Sequence, residues 1–257
     1  MAETRQDVLA VIPSRFGAQR FPGKPLALIA GKPLVQWAWE AAKGARRVTR
    51  VVVATDHERI FSAVRRFGGE AVMTSKACPS GTDRVAEVAR TSRAGIVVNV
   101  QGDEPLLSPQ TIDRAVEALQ QDSTAVMSTA VRKAENEREW RNPNVVKAVL
   151  DRMNYAIYFS RAPIPWEAGR SSASKAPHWV HIGLYAFKRP FLFRFAALPP
   201  SSLEQSEKLE QLRVLEHGCV IKVVIAQGLS CAVDRPDDVK KVERILARSQ
   251  AKEGKTS

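Results

Sequence analysis

Three cations lie close together in the loop that follows the first apolar run of the chain. Arg15, Arg20 and Lys24 belong to the segment VIPSRFGAQRFPGKPL, in which glycine and proline residues interrupt regular structure. Glycine lets backbone N–H groups approach an anion, and three cations would neutralise a polyphosphate. The segment is neither a Walker A sequence nor the GxGxxG dinucleotide fingerprint. Alone, it predicts a phosphate-binding loop and a solvated basic loop equally well.

Carboxylates follow two later apolar runs. Asp103 and Glu104 come directly after the run in IVVNVQGDEP, and Asp234 follows another in AVDRPDD. Carboxylate oxygens are hard ligands that suit Mg²⁺ shared with phosphates. A turn aspartate is the alternative for Asp103, and a helix N-cap is the commoner role for a residue such as Asp234. The pattern therefore leaves metal binding and local structure both open.

Apolar runs and amphipathic stretches alternate along the first half of the chain. Strands are predicted at Val8–Ile12, Val51–Ala54, Ala71–Met73 and Ile96–Gln101. Helices are predicted from Pro33, at Glu58–Phe67, from Ser80 (with Asp83 as a capping box) to Ala89, and at Pro109–Leu119. This order favours an α/β fold with a mostly parallel sheet flanked by helices. Ligands bind at the carboxyl ends of such strands, where the cationic loop and Asp103 are expected.

In the second half of the chain, predicted strands and helices alternate less regularly. Strands are predicted at Val126–Val131, Val145–Leu150, Ile182–Phe187 and Val220–Ala226, and helices at Ser206–Glu216 and Pro236–Ala247. A polar, serine-rich stretch, Ala168–Ala176, is typical of a mobile loop, and the chain is expected to fray from about residue 250 to 257. We therefore predict a mostly parallel mixed sheet in one domain, 1–257, with a smaller inserted lobe.

Composition places the chain among ordinary globular proteins. It has 257 residues, 44% hydrophobic and 26% charged, which is enough to bury a core. Three scattered cysteines form neither a disulfide framework nor a zinc motif, so a reducing, cytoplasmic location is expected. The first apolar run is too short for a signal peptide or a membrane span, and no stable membrane insertion is expected.

The charge balance raises an alternative from another functional class. Lys and Arg number 39 against 27 Asp and Glu, a formal net charge of +12, as in some nucleic-acid-binding proteins. Against nucleic acid as a partner, we find no recognition-helix motif, zinc spacing or aromatic RNA-binding stretch. A weaker option is a membrane-surface role for the last helix. Its apolar stripe (Val239, Val242, Ile245, Leu246) is more simply a side that faces the core.

A series of motifs, in this order, resembles one family over nearly the whole chain. The motifs are PSRFGAQRFPGKPL, MTSKACPSGTDR, VNVQGDEP, NPNVVKAV, YFSRAPIPW, HIGLYAF, LEQSEKLEQLR and VDRPDD. Together they resemble the 3-deoxy-manno-octulosonate (Kdo) cytidylyltransferases. The resemblance implies a nucleotide-diphospho-sugar-transferase α/β fold and a homodimer. It also implies Mg²⁺ as cofactor and synthesis of CMP-Kdo and pyrophosphate from CTP and Kdo, which activates Kdo for lipopolysaccharide synthesis.

The resemblance also assigns roles to residues. The triphosphate is assigned to Arg15, Arg20 and Lys24. The cytidine side of the pocket is assigned to Ser80, Gly81, Thr82, Asp83, Arg84 and Gln101. The magnesium carboxylates are Asp103 and Asp234, which with Lys24 and Arg15 make up the catalytic set. The sugar pocket is assigned to Arg161, His181, Tyr185, Glu210 and Gln211. The guanidinium of Arg161 is suited to bidentate binding of the Kdo carboxylate.

Two departures from the family pattern concern the same pocket. Cys78 stands where the family usually has histidine, and Arg235 stands where it usually has threonine. A cation beside Asp234 would lower the pKa of that carboxyl or compete with Mg²⁺. No side chain is identifiable as a general base, and a metal-lowered hydroxyl pKa would suffice. Another acidic sugar (8-amino-Kdo or a sialic acid) and UTP in place of CTP remain alternatives.

Overall fold

The structure, a computed structural model, describes residues 6–17, 21–167, 176–227 and 230–253. The chain divides into two units. The first consists of Met1–Pro109 and Gly228–Ser257, and the second of Gln110–Gln227. The second unit is thus inserted into the sequence of the first. That the two form a single domain, as the sequence suggests, stays a prediction.

The secondary structure alternates as expected over the first half of the chain. The strands are β1 (Val8–Ser14), β2 (Leu28–Ile29), β3 (Lys32–Pro33), β4 (Arg50–Thr55), β5 (Glu70–Met73), β6 (Ile96–Val100), β7 (Met127–Lys133), β8 (Lys147–Leu150), β9 (Ala156–Ser160), β10 (Trp179–Lys188) and β11 (Ile221–Ile225). The helices are α1 (Leu34–Gly44), α2 (Glu58–Arg66), α3 (Gly81–Ala89), α4 (Pro109–Gln121), α5 (Glu137–Arg141), α6 (Arg189–Ala197), α7 (Ser202–Glu207), α8 (Leu212–Glu216) and α9 (Pro236–Glu253). A short 3₁₀ helix spans Lys24–Leu26.

The first unit contains a parallel sheet in the order β5-β4-β1-β6. The run Val8 to Ile12 in β1 is at most 2% exposed, because a parallel strand is covered on both faces. β1 and β6 are neighbours, so Arg15 and Asp103, which follow them, start from the same edge of the sheet. The predicted α/β fold with a mostly parallel sheet is confirmed.

The second unit contains a mixed arrangement of strands. β11 runs parallel to β7, whereas β10 runs antiparallel to both β7 and β8, and β8 pairs antiparallel with β9. The register between β7 and β10 shifts between Ile182 and Tyr185. Such a bulge bends a strand and redirects its side chains.

The apolar stripe of α9 belongs to the core of the first unit. Val242 is fully buried in a cluster with Ile29, Leu34 and Val233, and the rest of the stripe packs against that cluster. The core-facing interpretation of this helix is confirmed. Among the described residues, each helix is too short or too polar to cross a membrane.

Several predicted boundaries were wrong. The single helix Ser206–Glu216 is two helices, α7 and α8, separated by Lys208 in a left-handed conformation (φ 55°). α9 continues to Glu253 instead of ending at Ala247, so fraying does not begin at residue 250. Residues 254–257 and nearly all of the loop Ala168–Ala176 (168–175) lie outside the described part. Strands β2, β3 and β9, helices α5 and α6 and the 3₁₀ helix were not predicted.

Candidate active site

A cavity of about 590 Å³ in the first unit collects most of the residues assigned to the nucleotide. It lies at the carboxyl ends of β1 and β6 and at the N-terminus of α3. The assigned residues in its lining are Arg15, Lys24, Ser80, Gly81, Arg84, Gln101, Asp103 and Asp234. Arg20 lies outside the described residues. The size and the polar lining are those of a site for a polar small molecule.

The cationic loop is organised by its own backbone. The amide of Gly23 donates to the carbonyl of Phe16 at 3.0 Å, and the amide of Lys24 donates to that of Phe21 at 3.0 Å. Gly23 has a φ of 71°, a left-handed conformation that glycine adopts without strain. The turn brings Lys24 into the cavity, whose lining also includes the exposed side chain of Arg15.

The two predicted metal carboxylates converge on one ammonium group. Lys24 Nζ donates to Asp103 Oδ2 at 2.7 Å and to the carbonyl oxygen of Val233 at 3.0 Å, and lies 3.6 Å from Asp234 Oδ1. The amide of Val233 donates to the carbonyl of Asp103 at 2.9 Å, which holds the two acidic segments together. The structure thus brings Asp103 and Asp234 to one point that favours a positive charge.

The N-terminus of α3 is capped as the sequence predicts. Ser80 Oγ accepts a hydrogen bond from the amide of Asp83 at 3.1 Å and donates to Asp83 Oδ2 at 2.6 Å. Thr82 is buried away from the cavity lining, and its Oγ1 accepts from Asn99 Nδ2 at 3.0 Å. Asn99 Oδ1 in turn accepts from Gln101 Nε2 at 3.3 Å. Thr82 therefore supports Gln101 through the buried Asn99 instead of facing the cavity.

Arg84 is buried and paired within the protein. Only 4% of its side chain is exposed, and its Nη2 donates to Asp56 Oδ2 at 2.8 Å. Its Nη1 donates to Thr74 Oγ1. A buried charge is stable only with such a partner, so Asp56 compensates the cation that the sequence assigned to the nucleotide.

Cys78 also lines the cavity. Its Sγ donates to Glu87 Oε2 at 3.0 Å. Burial, with a further contribution from the hydrogen bond to Glu87, raises the pKa of the Cys78 thiol to about 11. The group that replaces the family's histidine is therefore a neutral thiol at physiological pH, and cannot carry positive charge toward a phosphate.

Three residues assigned to the sugar are brought together in the second unit. The rings of His181 and Tyr185 lie 5.4 Å apart, and Tyr185 Oη donates to Gln211 Oε1 at 3.1 Å. Gln211 is 2% exposed, and its Nε2 has no hydrogen-bond partner among the described residues. A buried amide donor without an acceptor is costly, which favours a ligand or solvent acceptor at this point. Glu210 is half-buried in the turn between α7 and α8.

Arg161 is held by neighbouring backbone groups. Its Nε donates to the carbonyl of Glu207 at 2.8 Å and its Nη1 to that of Pro143 at 3.3 Å, while its amide donates to the Glu207 carboxylate at 2.9 Å. Lys147 Nζ donates to the carbonyl of Arg161. Burial, reinforced by the charge of Arg161, lowers the pKa of Lys147 to about 8.

Several supporting residues were not found from the sequence. Asp56 contacts Arg84, Glu207 contacts Arg161, and Thr129 Oγ1 lies 2.8 Å from His181 Nε2. These partners are 28 to 52 residues apart in sequence, so no local pattern predicts the contacts. Lys147 lies inside the motif NPNVVKAV, but a lysine in a strand gives no sign of being fully buried. Ser14 Oγ is buried in the cavity lining without a hydrogen-bond partner among the described residues, a polar group that a ligand or water would satisfy.

Comparison with known proteins identifies the family of the chain. Residues 9–225 match the cytidylyltransferase family. The 3-deoxy-manno-octulosonate cytidylyltransferase of Geobacter sulfurreducens is 48% identical over 244 residues, which cover 92% of this chain and 98% of that protein. The protein of the same name from Desulfatibacillum aliphaticivorans is 49% identical over 242 residues, covering 93% and 98%. A solved structure of CMP:2-keto-3-deoxy-manno-octonic acid synthetase complexed with CTP is 38% identical, with a TM-score of 0.88, and the match covers 95% of this chain and all of that one (100%). This chain belongs to the 3-deoxy-manno-octulosonate cytidylyltransferase family.

Proposed function

We propose that this protein transfers CMP from CTP to the anomeric hydroxyl of Kdo and releases pyrophosphate. The observation that carries the proposal is the convergence of Lys24, Asp103 and Asp234 in the cavity of the first unit. A cation beside two carboxylates, at the carboxyl edge of a parallel sheet, provides both charge types that nucleotidyl transfer requires. Membership of the family supplies the identity of nucleotide and sugar.

The reaction joins two anions, so neutralising charge is the first task of the site. Lys24 and Arg15 would bind the triphosphate and stabilise the charge on the departing pyrophosphate. The hydroxyl oxygen of Kdo forms a bond to the α-phosphorus as the bond to the pyrophosphate oxygen breaks, and the hydroxyl proton passes to solvent. Positioning and electrostatic stabilisation carry most of the catalysis in such transfers.

The donor set fits the magnesium ion that we propose as cofactor. Asp103 and Asp234 offer hard oxygen ligands, and they already accept a cation, the ammonium of Lys24, at that point. Mg²⁺ uses few protein carboxylates when it is shared with phosphates, so two are sufficient. Bound there, it would supply Lewis-acid stabilisation of the phosphate oxygens and lower the hydroxyl pKa of the sugar.

The second unit supplies the groups for an acidic sugar. Arg161 already directs two N–H groups to neutral carbonyl oxygens, and its charge suits the Kdo carboxylate. The free N–H groups of Gln211 Nε2 would bind sugar oxygens. Burial lowers the pKa of His181 to about 3, so this imidazole is neutral during the reaction and does not act as a charge partner.

Release of pyrophosphate, measured with Kdo and each of CTP, UTP, ATP and GTP, tests the proposal. We expect turnover with CTP and Kdo together and none when either is omitted. Asp103→Asn should lower kcat by about a hundredfold or more, because it removes one carboxylate from the proposed metal site. Asp237→Asn, an exposed acidic residue in the first turn of α9, is the matched control. Near-normal turnover by Asp103→Asn would overturn the metal assignment.

We also propose a homodimer in the cytoplasm. The cytoplasmic location rests on the sequence, whose three scattered cysteines suit a reducing compartment. The dimer is what the resemblance to the family implies, and Trp166, which is 86% exposed, is one large apolar side chain available to an interface. The molar mass in solution, measured by light scattering, should be about twice that of one chain, and a monomeric mass would contradict the dimer.

A further inference from the structure

Thr129 lies beside the bulge in the pairing of β7 and β10. His181 and Ile182 pair with Val131 and Ala130, but the next paired residue, Tyr185, faces Thr129. Gly183 and Leu184 are therefore without a paired residue in β7. The hydroxyl of Thr129 donates to the carbonyl oxygen of Leu184 at 2.7 Å. The bulge is thus stabilised by a side-chain hydrogen bond that the sheet alone does not provide.

The same hydroxyl contacts the imidazole of His181. Thr129 Oγ1 lies 2.8 Å from His181 Nε2. A hydroxyl has a single hydrogen, and the carbonyl of Leu184 can only accept, so that hydrogen is used by Leu184. If the hydroxyl instead donated its hydrogen to His181, Thr129 Oγ1 and the carbonyl oxygen of Leu184 would lie 2.7 Å apart with no hydrogen between them. The proton of the Thr129–His181 hydrogen bond must therefore come from Nε2.

The other ring nitrogen, Nδ1, is then an acceptor. Because burial lowers the pKa of His181 to about 3, the ring carries one proton at neutral pH, and Nε2 holds it. Nδ1 has no hydrogen-bond partner among the described residues, and the rings of Phe159 and Tyr185 lie beside the imidazole, with centroids 5.2 and 5.4 Å away. Its lone pair is left for a donor from outside the protein.

We propose that Thr129 is a positioning residue that holds His181 as the Nε2–H tautomer, so that Nδ1 accepts a hydrogen bond from a hydroxyl of the sugar. This inference rests on the proposed function, because it assigns His181 to the sugar. It also specifies the contact: His181 receives a hydroxyl and not the carboxylate, since two acceptors would repel each other. The carboxylate is left to Arg161, which has only donors.

Nitrogen-15 NMR of the imidazole side chains tests the tautomer directly. The chain has four histidines, so the spectrum is simple, and His181→Gln identifies the relevant signals by their loss. In the wild-type protein at neutral pH we expect His181 with a protonated Nε2 and an unprotonated Nδ1. A protonated Nδ1, or an equal mixture of tautomers, would overturn the proposal. This measurement requires no substrate and no activity.

Substitution of Thr129 tests the consequence for the sugar. Thr129→Val keeps the shape but removes the hydroxyl, so we expect kcat/KM for Kdo to fall about tenfold, the worth of a good hydrogen bond, while KM for CTP is unchanged. Thr129→Ser keeps the hydroxyl and should restore both the tautomer and the Kdo parameters. Equal losses in the Val and Ser variants would show that packing, and not the hydroxyl, matters at this position.

The outcomes separate the two proposals. If the wild-type protein makes CMP-Kdo but His181 has a protonated Nδ1, the proposed function stands and the role of Thr129 is wrong. If the tautomer is as expected but Kdo and CTP give no pyrophosphate, the proposed function fails while the proton arrangement holds. Should the Val variant not fold, the wild-type spectrum and the Ser variant still decide.

Discussion

Lys24 occupies the position that a divalent cation would need. Its ammonium lies 2.7 Å from Asp103 and 3.6 Å from Asp234, and without it the two carboxylates would repel each other. The proposed metal ion would have to displace the ammonium, and a bound triphosphate would offer Lys24 another anionic partner. We therefore predict that binding of the nucleotide and binding of the proposed metal ion are coupled through this side chain, and by linkage the coupling is reciprocal.

Removing this charge should strengthen metal binding to the nucleotide-free protein. Because the three groups are partly exposed, we expect Lys24→Met to raise the affinity for Mn²⁺ by about tenfold, roughly 1–2 kcal/mol. Turnover should fall in the same variant, since the phosphates lose a cation. Electron paramagnetic resonance of free Mn²⁺ measures the affinity without CTP or Kdo.

Arg15→Met is the matched control for the general electrostatic field. Arg15 also lines the cavity, but its side chain is exposed and has no carboxylate contact within the described part of the chain. If Lys24→Met and Arg15→Met raised the affinity for Mn²⁺ equally, the effect would come from the total charge of the cavity and not from the contact between Lys24 and the carboxylates. A Lys24→Met protein that binds Mn²⁺ no more tightly than wild type would contradict the coupling, and Asp103→Asn added to Lys24→Met should abolish the gain.

Cys78 should react slowly with alkylating reagents despite lining the cavity. Its pKa is raised to about 11, so the thiolate fraction is small at pH 8. Compared with free cysteine, iodoacetamide should modify it about a hundredfold more slowly at that pH, and the rate should keep rising above pH 9. Mass spectrometry of the Cys78 peptide over time provides the rates.

Glu87 contributes to the raised pKa of Cys78, so a substitution of Glu87 tests the cause of this shift. Glu87→Gln removes the negative charge that penalises the thiolate, so the pKa of Cys78 should fall and labelling at pH 8 should become faster. Glu58→Gln, on the exposed side of α2, is the control. Labelling of wild-type Cys78 at the rate of free cysteine would contradict the assigned environment.

Among elements, β8 is tied to its neighbours by a buried lysine. Lys147 is fully buried, and its ammonium donates to the carbonyls of Asn142 at 2.9 Å, Val145 at 2.6 Å and Arg161. The three carbonyls match the three hydrogens of an ammonium group. This arrangement joins the turn before β8 to the end of β9, where Arg161 begins its contacts with Glu207.

Loss of these hydrogen bonds should destabilise the protein. Lys147→Met keeps the length of the side chain but removes the ammonium from three carbonyls, of which, among the described residues, only that of Asn142 keeps another donor, the amide of Val145 at 3.1 Å. We expect a loss of about 2 kcal/mol in the free energy of unfolding. Because the carbonyl of Arg161 is released, KM for Kdo should rise as well. Chemical denaturation and steady-state kinetics measure the two effects.

Lys188 provides a control of the same chemistry at a less buried position. Its ammonium donates to the carbonyls of Asp122 and Ser123, each at 2.9 Å. Water can replace Lys188 there, so Lys188→Met should cost less than about 1 kcal/mol. Similar losses in the two variants would show that burial of Lys147 does not matter.

The longer strands and the helices of the first unit were predictable because each follows a local rule, whereas the two-residue strands β2 and β3 were not predicted. β1 and β6 are continuous apolar runs, and Ser80 caps α3 through Asp83. The helix predicted at Ser206–Glu216 failed because Leu209 and Leu212, spaced as in a helix, are both buried although the chain turns at Lys208. The spacing of apolar residues predicts which residues are buried, but it does not predict that one residue adopts a left-handed backbone conformation that ends the helix.

At the scale of the whole molecule, the net charge of +12 proved a weak guide. Of the cations that the sequence associated with ligands, Arg84 is compensated by Asp56 inside the first unit. Arg213 and Arg132 likewise pair with Glu204 and Glu139 within the second unit. A net charge sums over the whole chain, whereas function depends on the few charges that are left available at one point.

The sequence by itself determined the α/β class, the family and most residues of the candidate site, because strand periodicity, helix caps and ordered motifs are local features. Only the tertiary structure decided which of those residues meet. It placed Lys24 between Asp103 and Asp234, which follow Lys24 in the sequence by 79 and 210 residues. It also paired Arg84 with Asp56. It also set the proton on His181. Each of these depends on distances of a few ångströms between segments remote in sequence, and electrostatic and hydrogen-bond energies are decided at those distances.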